Sequence, residues 1–161
     1  MTIDDVYGSR PDLLPKSMIR AARAEDGSPR RIVWVGREGV KLLDLSRHRE
    51  YERMSINHFS RNSDGSVDWA NVPEDLVLET ADSDVAEAES LIVKYLPDSG
   101  HFIIFWGSLA LPTVEIDCPE LNPCIHDVLE QKPEFWIYIP SRGVLVESAF
   151  SGLVTIAQVP V

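Results

Sequence analysis

Two cysteines in 161 residues, Cys118 and Cys124, are too few for the disulfide frameworks that hold small secreted domains together. Six positions apart, they would close one small loop at most, and two reduced thiols in a cytoplasmic protein are the expected state. Long apolar runs are missing too. Phe102–Trp106 is among the longest and falls far short of the ~20 residues that a membrane-spanning helix needs. The opening Met1-Thr2-Ile3-Asp4-Asp5 is acidic and has no apolar centre, so no secretory signal is expected there. The nine glycines stand singly, with no phosphate-cradling pattern. No Gly-x-Ser-x-Gly elbow is present, and His48, His58, His101 and His126 include no His-x-x-x-His pair.

Two weaker metal patterns also fail. Cys118, Cys124 and His126 lack zinc spacing, and on a helix starting at Asn122 the last two point about 200° apart. Asn62, Asp64, Ser66 and Asp68 place oxygens at every second position, but the glycine is not where a calcium loop needs it in either register and no glutamate closes the site. No catalytic residue, metal or cofactor is therefore expected.

Positive charge is the scarcest component of all, and it is scarce in one place. The net charge of −11 argues against a nucleic-acid partner. Residues 1–61 carry 12 Lys and Arg against 9 Asp and Glu, whereas residues 62–131 carry the single base Lys94 against 15 acids. Residues 132–161 hold two of each, so the middle block exceeds the whole negative excess. A face built from it is strongly negative, which suits either solubility or a cationic partner.

What remains is a 44% hydrophobic, 25% charged composition of soluble globular type, read as a single domain over residues 1–161. The C-terminal part supplies most of the order. His101–Trp106, Leu111–Asp117, Phe135–Ile139, Val144–Phe150 and Leu153–Val159 are five strand candidates. Ser141-Arg142-Gly143 and Ser151-Gly152 between the last three are tight turns, which predicts an antiparallel meander. Asp84–Leu96 is the clearest helix: Val85, Ala88, Leu91, Ile92 and Tyr95 share one stripe, with Asp84 and Glu87 in a capping arrangement. A second, shorter helix is expected from Asn122, with Pro123 at its first position and Lys132-Pro133 at its end. The fold class is thus α+β, a predominantly antiparallel sheet with one or two helices packed on a face.

The first half is less regular. Residues 1–16 read as an irregular segment broken by Gly8, Pro11 and Pro15. Ser17–Ala24 fits either a helix or a strand turning through Asp26-Gly27, its alanines favouring the helix. Ile32–Val35 and Val40–Leu45 around Gly36–Gly39 predict a hairpin. Arg47, His48, Arg49 and Arg53, interleaved with acids, form a solvated face. Asn62–Gly65 has hairpin-turn chemistry between Ser55–Ser60 and Val67–Trp69, and Leu76–Leu78 after Pro73 suits an edge strand.

The candidate partner-binding residues come from the acidic block. Asp82, Asp84, Glu87 and Glu89 gather at the start of the first helix, Glu115 and Asp117 alternate with buried neighbours of their strand, and Glu120 precedes the second helix. Trp69 stands in a polar, turn-rich stretch and is the one tryptophan placed as an interface anchor; packing beneath its hairpin is the competing reading.

In overall character, the acidic block with a sheet-rich C-terminal half, the chain resembles the small acidic immunity proteins of bacterial contact-dependent growth inhibition and related polymorphic toxin systems. The resemblance implies a cytoplasmic antidote, monomeric or weakly dimeric. It would bind a cognate basic toxin domain, a nuclease, and occlude its active site without touching nucleic acid or membrane. It carries no functional residue over by position. Two other classes stay open on the residues alone: a small hydrolase or transferase with a dispersed site, and a non-catalytic adaptor.

Overall fold

The His101–Trp106 run is apolar at five consecutive positions, so it needs cover on both sides, and it lies near the middle of a seven-stranded sheet. The computed structural model describes residues 6–18, 22–23, 32–33, 38–82, 85–96, 100–131 and 134–160. Its strands are β1 (Ala22–Arg23), β2 (Ile32–Val33), β3 (Val40–Leu42), β4 (Val77–Asp82), β5 (His101–Trp106), β6 (Val114–Asp117), β7 (Phe135–Ile139), β8 (Val144–Ser148) and β9 (Leu153–Gln158). Among the described residues three α-helices are complete: α1 (Leu45–Met54), α2 (Val85–Tyr95) and α3 (Cys118–Gln131). The main sheet runs β3-β6-β5-β7-β8-β9-β4, and every neighbouring pair is antiparallel.

The meander β7-β8-β9 forms as its turns predict. The Gly143 N–H donates to the Ile139 carbonyl at 2.9 Å and Gly152 closes the next turn, both at positive φ where a Cβ would be strained. The two sheet faces carry separate cores. On one, Phe102, Ile104, Ile116, Phe135, Ile137 and Val146 meet Ala88 and Ile92 of α2 and Ile125 and Val128 of α3. On the other, Ile103, Phe105, Trp136, Tyr138 and Leu145 are covered by Leu43, Tyr51, Ile56, Phe59, Val67 and Val72. Burial on both sides is why β5, β7 and β8 show no apolar–polar alternation.

Five local expectations are corrected. Ile32–Val33 and Val40–Leu42 do not form a hairpin with each other: β2 pairs with β1, and β3 pairs with β6. There Val40 and Leu42 extend the apolar face of Ile116 and Val114, while Lys41 lies opposite Glu115. In Ser17–Ala24 the strand reading holds for Ala22–Arg23, preceded by a 3₁₀ turn at Lys16–Met18. Ser55–Ser60 contains a 3₁₀ turn at Ile56–His58 rather than a strand, although Arg61 and Val67 do bridge across the Asn62–Gly65 turn.

The remaining two corrections concern helices. α3 begins at Cys118, four residues before Asn122, because β6 runs directly into it; Pro119 falls in its first turn, where a missing N–H costs little. Along that helix, positions 118 and 124 rise about 9 Å apart, beyond the reach of a disulfide. α1 was not expected at all. Its sequence has only three apolar residues, and it stands on capping and charge: the Asp44 carboxylate accepts the Arg47 N–H at 2.8 Å. The edge strand near Leu76–Leu78 is present as β4, where a register shift between Val77 and Glu79 accompanies an exposed Leu78.

Within the α2 stripe, Ile92 is fully buried and Leu91 only partly. Ile92→Ala should cost about 2–5 kcal/mol in urea denaturation, and Leu91→Ala clearly less. Equal, small losses at both positions would mean that α2 is not held by this core.

Candidate functional site

The helical layer concentrates negative charge because its few cations are already engaged. Glu87 and Glu89 lie on α2; Asp127 and Glu130 lie on α3. Lys94 reaches Glu79 of β4 at 3.0 Å, and the Tyr95 hydroxyl donates to the same carboxylate at 2.6 Å. The Tyr95 hydrogen bond, then that from Lys94, holds Glu79 below the usual carboxylate range. His126 lies between Glu89, 2.9 Å from its Nδ1, and Glu130, 3.1 Å from its Nε2. The hydrogen bond with Glu89 and the charge of Glu130 raise its pKa. One imidazole thus ties α2 to α3.

The other predicted carboxylates lie elsewhere. Glu115 is opposite Ile103 on the second face of the sheet, with Asp117 two residues on, so both project away from the α2–α3 side. Glu115 lies 3.4 Å from His101 Nε2 and is mostly covered, while Asp117 is exposed. The sheet therefore separates the two acidic sets. Asp82 closes β4 and Glu120 lies in the first turn of α3, though their side chains, like Asp84 as a whole, fall outside the described structure. Trp69 is half-buried against Phe59, with ring centroids 5.6 Å apart, and spends its N–H inside the protein.

That N–H belongs to a constellation that no motif announced. Glu147, on β8, is 2% exposed. Trp69 Nε1 donates to its Oε1 at 2.8 Å; Trp136 Nε1 at 2.8 Å and the Val67 N–H at 2.7 Å donate to its Oε2. Three neutral donors satisfy one buried carboxyl and pin the 61–69 hairpin to the sheet. A lone acid inside the apolar run Val144–Phe150 was the available signal.

Beside this clamp lies a cleft of about 230 Å³, walled by Phe105, Trp106 and Trp136 and rimmed by Glu52, Arg61, Asp64 and Glu134. Its floor includes His48, whose Nδ1 is 2.5 Å from Thr113 Oγ1 and whose Nε2 is 3.1 Å from Glu52. The chain continues inward: the Thr113 N–H donates to Tyr7 Oη at 2.9 Å, which donates to the Leu43 carbonyl at 2.7 Å. Thr–His–Glu has the outline of a catalytic triad, but Thr113 is buried, at 1% exposure. This network instead anchors α1 and the Tyr7 segment to the sheet.

At the rim the two glutamates differ. Burial pushes Glu52 upward, but the His48 hydrogen bond, with His48, Arg61 and Arg49 nearby, outweighs it and leaves the carboxyl below its usual range. Glu134 is raised, by burial first and then by the charges of Asp64 and Glu147, with Arg61 offsetting part. Gly107 makes room for it: a Cβ there would approach Glu134 Oε2 at 3.2 Å. Among the described residues no three His, Cys, Asp or Glu converge as metal ligands. No described helix is long and apolar enough to cross a membrane.

Two outcomes test these assignments. Glu147→Gln replaces an acceptor with an N–H₂ facing indole and amide donors, and should cost about 1–3 kcal/mol in urea denaturation followed by tryptophan fluorescence. A loss below about 0.5 kcal/mol would remove the clamp. For His126, raised in the folded state, the stabilisation is complete below about pH 6.5 and disappears as pH rises through the folded pKa. Its NMR titration midpoint should lie above about 6.5 and fall in Glu89→Gln; an unshifted midpoint in both proteins would break the α2–α3 tie. Compared with known proteins, the chain matches no protein-family model and no curated protein.

Proposed function

We propose that this protein is a toxin-neutralising immunity protein that binds a basic toxin domain, a nuclease, and occludes it through the acidic α2–α3 layer. The observation that carries the reading is the excess of carboxylates over cations in this layer, where Glu89 and Glu130 flank the one histidine, His126. Glu87, Glu89, Asp127 and Glu130 share this layer with one lysine, and that lysine is held by Glu79. A negative face of this kind accelerates encounter with a cationic cleft and disfavours nucleic acid itself. The same reading assigns it a cytoplasmic place of action and no catalysis of its own.

The two separated acidic sets make the test sharp. Glu87→Lys with Glu89→Lys should leave the fold intact and weaken the complex with the cognate toxin domain by about tenfold or more at low salt. The same reversal at Asp117, exposed on the other face, should leave affinity and protection of toxin-producing cells unchanged. Full protection by the α2 variant, or no complex with wild type, would overturn the reading.

A further inference from the structure

One large apolar side chain among the described residues is left almost bare. Phe150, at the tip of the β8–β9 turn, is 80% exposed, whereas Leu13, Met54, Leu78, Leu109 and Leu153 keep more than half of their surface covered. Partial exposure of an apolar residue is ordinary on a protein surface; an uncovered aromatic ring is not. The turn itself does not ask for the ring. Gly152, at φ 95°, supplies the left-handed position, and Ser151 Oγ receives the Leu153 N–H at 3.5 Å. A polar residue at 150 would close the same turn.

Nor does the ring ride on a loose loop. The Ala149 N–H donates to the Leu153 carbonyl and the Gly152 N–H to the Ala149 carbonyl, both at 2.9 Å, directly beyond the Ser148–Val154 pair. The backbone that carries Phe150 is therefore fixed at the end of the sheet. An aromatic side chain presented in this way has little freedom to lose on contact, and aromatic rings are enriched in the buried centres of interfaces.

The surroundings decide the kind of partner. Leu153 pairs with Asp82, the last residue of β4. α2 begins three positions later at Val85, a span of at most about 11 Å, so its first turns stand at the same end of the sheet as the β8–β9 turn. Those turns carry Glu87, which is exposed, and Glu89. No lysine or arginine occurs in residues 77–93 or 143–161. The bare ring thus stands at the border of the acidic layer, in a neighbourhood charged with one sign only.

We propose that Phe150 is the apolar anchor of the partner-binding surface, entering an apolar pocket ringed by lysine or arginine on the basic toxin domain while Glu87 and Glu89 pair with that ring of cations. The proposal rests on the reading of the α2–α3 layer as the toxin-binding face and adds the residue that holds the complex once charge has brought it about. The two contributions act on different rates. Charge steers the encounter and weakens with salt, whereas burial of an aromatic side chain slows release.

The test is the kinetics of the full-length protein on the immobilised cognate toxin domain at low and high salt. Phe150→Ser should melt like wild type, associate at an unchanged rate and dissociate about tenfold faster or more at both salts, and Phe150→Leu should recover part of the slow release. Glu87→Lys with Glu89→Lys should instead slow association, most at low salt. Met54→Ala, which trims an exposed apolar side chain of α1 across the sheet, should change neither rate. Dissociation of Phe150→Ser at the wild-type rate, or an equal loss in Met54→Ala, would overturn the anchor and leave the acidic face standing. Faster release of Phe150→Ser with association indifferent to the Glu87 and Glu89 reversal would overturn the acidic face alone. No binding by the wild-type protein would overturn both.

Discussion

A carboxyl group in the middle of a sheet is held only if its neighbours supply donors, and here the neighbours are two indoles and one backbone amide. Glu147 sits on β8 directly after the apolar Val144, Leu145 and Val146, and it faces the layer formed by residues 55–76. Leaving it unbonded would cost several kcal/mol. Residues 61–69, which contain no strand or α-helix of their own, are fixed by satisfying it. Trp136 then presents one ring face to Arg61, and the cleft exists because these pieces are held apart at set distances. Remove the carboxyl and the second face of the sheet loses its main polar attachment.

The parts of the fold that were legible in the sequence are those whose signal is local. Gly143 and Gly152 mark turns by their own backbone needs, and the Ala88–Ile92 stripe marks a helix by its spacing. The partner of β3 and the whole of α1 were missed for a different reason. Val40–Leu42 finds its partner more than 70 residues away on β6, which no hairpin rule anticipates. α1 buries only His48 and Tyr51, so its hydrophobic pattern is nearly silent. Polar contacts carry that helix instead, from the Asp44 cap to the His48–Thr113 bond across 65 residues.

The same division runs through the functional residues. Charge composition pointed to the acidic block, and α2 and α3 do bring Glu87, Glu89, Asp127 and Glu130 into one layer. It could not show that a strand acid such as Glu115 turns to the opposite side, since that depends on which face β6 gives to the helices. Glu52, Arg61, Asp64 and Glu134 come from three separate stretches and meet only through the sheet. A cleft assembled in this way has no spacing to read.

Both edges of the main sheet belong to the first half of the chain: β3 and β4 flank five strands that all come later in sequence. On the ribosome the edges are made first and have nothing to pair with. β3 waits for β6, and β4 waits until β9 is complete, almost at the last residue described. The sheet therefore closes late, through contacts of long sequence separation, which slows folding. In that interval the Val77–Asp82 segment is an unpaired strand, and the time a nascent chain spends with it exposed sets its exposure to chaperones and to misassembly.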